Sequence, residues 1–328
     1  MYFYRIYGCI LQSDIPFPNL PESYPFSASL RAKRSNLGQG LLRSRRSLAM
    51  TKMGANASPV DIRLHIGEVD CPETTFPGSE PCLWQGDQDA RFSIQEVGCF
   101  QIRDGKEMTV MPVPNVADRL LQSWIMATAL GLLFFQRGLL VLHGSAAVRG
   151  DGAVLILGGK GWGKSTLTSA LCQAGFTFLA DDLAVIRWEN GRPFLAPGPS
   201  ETRLWPDTLS ALKQDSVALE KVHPDYEKRV MPMNVCRTEP AELKRVYILD
   251  RGEENQILPL TPKDAFLEMV RHSYRIEWIP EKLSQSRFAQ WTQLAGTVPA
   301  ALMRRRFSLA SLSEQVEKIR EDYDRLVP

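Results

Sequence analysis

Residues 153–166 read Ala153-Val154-Leu155-Ile156-Leu157-Gly158-Gly159-Lys160-Gly161-Trp162-Gly163-Lys164-Ser165-Thr166, and the expected fold turns on them. The apolar run Ala153 to Leu157 predicts a buried strand. Leu167 to Ala174 predict a helix. Between them stands Gly158-x-x-x-x-Gly163-Lys164-Ser165, the Walker A pattern. Glycines let the backbone curl so that successive N–H groups face phosphate oxygens, and the helix N-terminus adds partial positive charge. Gly158, Gly159, Lys160, Gly161, Trp162, Gly163, Lys164, Ser165 and Thr166 are therefore the expected nucleotide-binding residues. Lys164 would reach the β- and γ-phosphates, and the Ser165 hydroxyl would ligate Mg²⁺. The plainer alternative is a glycine-rich turn with no ligand, but the strand–loop–helix setting favours ATP and Mg²⁺.

Downstream, an apolar strand from Phe176 to Leu179 leads to Asp181-Asp182 and then Leu183 to Trp188. Paired carboxylates after a strand suit a phosphate loop, because Mg²⁺ and its waters need anionic oxygens opposite the triphosphate. Alternatives for the pair are a metal–water site without a base, or a solvated turn. Upstream, Leu139 to Leu142 predict a strand running into His143-Gly144-Ser145, and Arg149-Gly150-Asp151-Gly152 a turn back into the loop strand. That hairpin puts His143 near the nucleotide end, where it is either functional or a satisfied core histidine. Lys228-Arg229 reads as a second cation for the phosphates or, more simply, a solvated charge cluster. Arg304-Arg305-Arg306 reads as a surface strand end, and Trp162 as a lid or an exposed ring.

Further out, Val116 to Gln136 carries apolar residues at helical spacing and predicts a buried helix. A strand at Arg245 to Asp250, helices at Lys263 to His272 and Arg287 to Leu294, a strand at Ala300 to Arg304 and a helix at Ser311 to Leu326 follow, with residues 208–240 unassigned. The front reads as strands: Tyr2 to Leu11, Asp61 to Ile66, Arg91 to Glu96, Phe100 to Arg103 and Met108 to Val113, with a hairpin at Asp104-Gly105 and Glu189-Asn190-Gly191-Arg192 marking another later. The expectation is a small β-rich module over 1–112, holding a flexible basic loop at 22–60, followed by an α/β domain over 113–328. Arg31, Lys33, Arg34, Arg43, Arg45, Arg46 and Lys52 make that loop basic, as an arm for an anionic partner or as a diluted surface loop.

The 328 residues carry 44% hydrophobic and 23% charged side chains and a net charge of +2, so nothing global suggests nucleic acid. No apolar stretch is long enough to predict a membrane span. Cys9, Cys71, Cys82, Cys99, Cys172 and Cys236 are scattered, which predicts reduced thiols rather than disulfides or a zinc site, and a cytoplasmic location.

The order His143-Gly144, Gly158 to Ser165, Ala180-Asp181-Asp182 resembles the catalytic domain of HPr kinase/phosphorylase, a bacterial enzyme that phosphorylates a serine of a phosphocarrier protein. Lys164 follows His143 by 21 residues and Asp182 follows Ser165 by 17, close to that family's pattern. The chain looks still more like the HPr-kinase-related proteins found near peptide-tailoring genes, including lasso-peptide clusters, with their Pro-Gly and Leu-Trp-Pro segments (here Pro197-Gly198 and Leu204-Trp205-Pro206). The resemblance covers about residues 138–210. It implies a P-loop kinase fold shared with phosphoenolpyruvate carboxykinase, a mixed sheet with flanking helices. It implies Asp182 as the base for the acceptor hydroxyl, Lys164 on the phosphates, Asp181 beside the metal held by Ser165, and His143 tuning charge. The family's further glutamate ligand has only Glu201 and Asp207 as candidates, and the Pro-Val-Arg-Pro-Gly-Arg segment linked to the reverse reaction is absent, so neither phosphorylase activity nor HPr as acceptor is implied.

Two functions follow as expectations. One is an ATP-dependent kinase acting on a serine of a peptide or small protein, compatible with a homo-oligomer and needing no nucleic acid or membrane. The other is a nucleotide-binding regulatory module that phosphorylates no acceptor.

Overall fold

The computed structural model describes residues 1–23, 60–71, 82–223 and 226–326. The basic stretch Arg31 to Lys52 lies outside them. The chain is a mixed α/β structure. Its first sheet joins β1 (Tyr2–Ile6), β2 (Cys9–Ser13), β3 (Ile62–Ile66), β4 (Cys82–Gln85), β5 (Asp89–Ile94), β6 (Gly98–Arg103) and β7 (Glu107–Pro112) in the order β1-β2-β3-β7-β6-β5-β4. The strand expected over Tyr2 to Leu11 is instead a hairpin. Tyr7 (φ 47°) and Gly8 (φ 73°) both take positive φ, the turn geometry that matches the right-handed twist of two strands. Asp104-Gly105 and Asn190-Gly191 make the same kind of turn at the places their sequences predict.

Helix α1 (Asp118–Trp124) continues through a π-helical turn (Ile125–Ala129) into α2 (Leu130–Gln136). This is the apolar helix the spacing predicts. It packs Leu121, Ile125, Ala129, Leu133 and Phe134 against Leu64, Phe92, Phe100 and Met108 of the first sheet and against Val141, Leu183 and Val185 of the second. One core thus spans both sheets.

The second sheet contains β8 (Leu140–Arg149), β9 (Gly152–Leu157), β10 (Thr177–Ala180), β11 (Leu183–Glu189), β12 (Arg192–Leu195), β16 (Ala241–Arg251), β17 (Gln256–Pro259) and β18 (Ala300–Arg305). A third, small sheet holds β13 (Glu201–Leu204), β14 (Lys221–His223) and β15 (Tyr226–Pro232). The second sheet is covered on both faces. On one side lie α5 (Pro262–Arg271) and α7 (Phe288–Thr297), which follows the short α6 (Glu281–Gln285). On the other lie α3 (Lys164–Gln173), α4 (Pro206–Ala211) and α8 (Leu312–Leu326). Alternation decides which residue faces which layer: Leu140, Leu142, Ala146 and Val148 of β8 pack toward α5 and α7, and Ala147 toward α3. A buried network fixes α8: Asp322 accepts from Arg245 Nε at 3.0 Å and from the Tyr247 hydroxyl at 2.8 Å.

Two sequence expectations need correction. Cys71 and Cys99 form a disulfide, Cα–Cα 5.7 Å, while Cys9, Cys172 and Cys236 are free thiols. The pair joins the segment after β3 to β6, a proximity that 28 residues of separation conceal. Arg305 is 6% exposed rather than on the surface, because it ends β18, a strand paired on both sides, and reaches the Trp162 carbonyl in the loop that follows β9. Among the described residues, no helix is long and apolar enough to cross a membrane.

Gly144 shows how tightly the centre of β8 is set. A Cβ there would lie 2.8 Å from Leu155 Cδ1 and 2.9 Å from the Ile156 backbone oxygen. Gly144→Ala is expected to lower stability by about 1–3 kcal/mol, as forced overpacking does. The urea midpoint of the two proteins measures it, and an unchanged midpoint would contradict this packing.

Candidate active site

The loop after β9 is built by backbone freedom. Gly161 and Gly163 both adopt φ 77°, and Gly163 caps α3 from that left-handed conformation. A Cβ on Gly159 would meet the Trp162 ring at 2.9 Å, and one on Gly163 would meet Arg305 Nη2 at 3.0 Å. Lys164, the first residue of α3 and only 7% exposed, donates to the carbonyls of Gly158 (2.8 Å) and Gly159 (3.2 Å). Burial lowers its pKa, while Asp181 and Asp182 pull it back up.

β10 and β11 run along one edge of β8 as a single path broken at Asp181-Asp182. The register pairing Ala180 with Ala146 and Leu183 with His143 carries across the break. It sets Asp181 opposite Ser145 and Asp182 opposite Gly144. Asp182 takes φ 74°, and the two carboxylates part company.

Asp181 is held by hydroxyls. Its Oδ1 accepts from Ser145 and, at 3.0 Å, from Ser165; its Oδ2 accepts from Thr202 at 2.6 Å. Asp182 meets nitrogen donors. His143 Nδ1 lies 3.1 Å from both its backbone oxygen and Oδ1, so the ring donates from Nδ1, and Arg203 Nη1 is 3.6 Å from Oδ2. Burial pushes the Asp182 carboxyl up, but His143, Arg203 and Lys164 outweigh it and hold the group well below the carboxylate range.

The structure thus brings together His143, Lys164, Ser165, Asp181 and Asp182. Thr202, Arg203, Tyr7 and Tyr274 escaped the sequence reading, while Lys228 was named there as a candidate second cation. Thr202 and Arg203 are consecutive on β13, and each reaches one of the two aspartates. Lys228, on β15, is half-buried near Asp181 and Asp182 rather than simply solvated; burial lowers its pKa and the two carboxylates raise it. Arg229 instead faces Glu227 and the Leu219 carbonyl. Tyr7, from the first hairpin, is buried close enough to Asp182 and Asp181 that burial and their charge raise its phenol pKa well above normal. Tyr274 packs 5.9 Å from the His143 ring. Alternation along β13 was the only signal for Thr202 and Arg203. Tyr7, more than a hundred residues upstream, gave none.

Glu201 is committed to Arg119 (2.5 Å) and Asn19 (2.9 Å), and Asp207 Oδ1 accepts from the Thr208 backbone N–H. Trp162 is half-buried against the α3 layer rather than a free lid. Among the described residues no three His, Cys, Asp or Glu side chains group as a metal cage. Ser165 and Asp181 nonetheless offer two hard oxygens together, the sparse protein set that Mg²⁺ accepts when phosphates and water complete it. Lys164, Lys228 and Arg203 lie around the two carboxylates, a surplus of positive charge suited to a polyphosphate.

His272 lies against this site, its carbonyl accepting from the His143 backbone N–H at 2.7 Å. Burial, then Lys164 and His143, lower its pKa to about 4, so its 3.5 Å approach to Glu268 is not an ion pair at neutral pH. An unfolded histidine titrates near 6.5, so between pH 6.5 and 4 the unfolded chain binds more protons and stability falls as pH falls. The effect is about 3 kcal/mol over that window. His272→Gln is expected to flatten the pH dependence of stability by about that amount, read from urea unfolding at pH 7 and pH 4.5; an identical slope in both proteins would place the acid sensitivity elsewhere.

No protein-family model matches the chain, and no curated protein matches it. Among solved structures, the HPr(Ser) kinase/phosphatase from Coxiella burnetii is similar, at 15% identity over 56% of this chain and 98% of that chain, with a TM-score of 0.30. The overlap is loose at that score, and the functional case rests on the site itself.

Proposed function

We propose that the protein is an ATP-dependent kinase that transfers the γ-phosphoryl group to a serine hydroxyl of a peptide or small protein. One observation carries the reading: adjacent aspartates serve different partners, Asp181 sharing the Ser165 hydroxyl at 3.0 Å and Asp182 facing His143 and Arg203. A bare nucleotide site needs the first arrangement only. Phosphoryl transfer also needs an oriented nucleophile beside the transferring group.

ATP·Mg²⁺ would lie on the loop Gly158 to Gly163, with Ser165 and Asp181 toward the metal; bound there, it supplies the phosphoryl group and neutralises its charge. Lys164 exchanges its loop carbonyls for phosphate oxygens. Asp182 Oδ orients the serine hydroxyl and takes its proton, and His143 holds that carboxylate in place through Nδ1. Arg203 and Lys228 offset charge that develops on the phosphoryl oxygens. Arg203 also lines a small recess with Phe17, Arg119, Met126 and Glu201. The depressed pKa of Asp182 keeps it ionised at neutral pH, ready to accept a hydrogen bond from the incoming hydroxyl.

The test is transfer of label from [γ-³²P]ATP to an array of short serine-containing peptides. Label on serine is expected with the native protein. Asp182→Asn should lower transfer roughly 10²–10⁴-fold, the usual cost of removing a general base, while ATP affinity stays within a few-fold. Lys164→Ala should weaken MgATP binding itself, because a charge-assisted phosphate contact is removed. ATP binding without labelling of any serine peptide would favour the regulatory-module alternative.

A further inference from the structure

β9, β16 and β18 are parallel neighbours, with Leu157 level with Ile248 and Arg251 level with Arg305. Their carboxyl ends therefore finish at one edge of the sheet, where the glycine loop also emerges. At that edge stand three flat groups. Trp162 belongs to the loop. Phe307 follows β18 and is 52% exposed. Arg251, the last residue of β16, places its guanidinium 4.4 Å from the Phe307 ring centroid and 5.6 Å from that of Trp162. Beneath them, buried Arg305 donates to the Trp162 carbonyl and to Gln315 Oε1, and lies 5.4 Å from the Phe307 ring. Asn255 is 4% exposed; its Oδ1 accepts from the Arg306 backbone N–H, while its Nδ2 has no partner in the protein.

Holding phosphates requires none of these rings. An exposed phenylalanine kept beside two guanidinium groups, next to the loop, suits a planar, polarisable ligand. We propose that Trp162, Phe307 and Arg251 form a stacking platform for the base of the nucleotide whose phosphates occupy the Gly158–Ser165 loop. The proposal rests on the nucleotide-binding reading above and names the part of the ligand that the Walker A pattern leaves open. The base leaves the loop over its β16–β18 wall and stacks on Phe307, with the Arg251 guanidinium against the remaining π-face. Arg305 keeps Trp162 and the platform in fixed relation to the loop.

Calorimetric titration of the full chain with MgATP and with magnesium tripolyphosphate separates this platform from the phosphate site. The native protein is expected to bind MgATP at least about tenfold more tightly than tripolyphosphate, within the range of base–aromatic stacking. Phe307→Ala should weaken MgATP about 5–20-fold with tripolyphosphate affinity unchanged, and Phe307→Tyr should restore it. Arg251→Ala should show a smaller loss of the same selectivity. Phe307→Ala with native MgATP affinity, or with equal losses for both ligands, would overturn the platform. A native protein that bound neither ligand would instead overturn the nucleotide reading, and the platform with it.

Discussion

The geometry of the site depends on one backbone constraint, the left-handed conformation of Asp182. A non-glycine residue at φ 74° persists only where its surroundings hold it. Here the Gly144 N–H donates to the Asp182 carbonyl at 3.3 Å and the Leu183 N–H to the Asp181 carbonyl at 3.0 Å. Regular extended backbone would send adjacent side chains to opposite faces of the sheet. With the break, both carboxylates sit at the loop's edge yet meet different groups, hydroxyls for Asp181 and the His143 and Arg203 nitrogens for Asp182. Asp tolerates this conformation better than most residues.

The first sheet is tied into that arrangement. The Tyr7 N–H donates to the Pro197 carbonyl, and Arg187, from β11, donates to the Tyr7 carbonyl. Its phenol stays neutral beside the aspartates because burial and their charge both oppose ionisation. The β-rich front of the chain therefore helps to wall the candidate site, and Asn19 and Phe17, near β2, extend that wall along the recess at Arg203.

Much of this was legible in the sequence because it rests on local patterns. The strand into Gly158, the helix after Lys164 and the hairpin that returns His143 are set by apolar runs and glycine turns close in sequence. Asp181 and Asp182 were legible as a pair, and their different partners were not, since β13 supplies Thr202 to one and Arg203 to the other from a strand the sequence did not reveal. Residues 208–240 resisted reading because β14 and β15 are half-exposed strands without clean alternation, which left Lys228 readable either as a second cation or as solvated charge. Arg305 was misplaced for a related reason: a run of three arginines reads as surface, whereas the strand period buries the middle one. The Cys71–Cys99 bridge carried no spacing signal at all.

The central claim is that adjacent carboxylates divide the work, Asp181 serving the metal and Asp182 the acceptor. Mn²⁺ titration in the presence of ATP, followed by electron paramagnetic resonance, tests it without any acceptor. Asp181→Asn should weaken nucleotide-dependent Mn²⁺ binding by about tenfold or more, as expected when a carboxylate that helps hold the metal loses its charge. Asp182→Asn should leave it within a few-fold of native. Equal losses in the two variants would mean that the pair is one metal site, and that the base for any transferred phosphoryl group lies elsewhere.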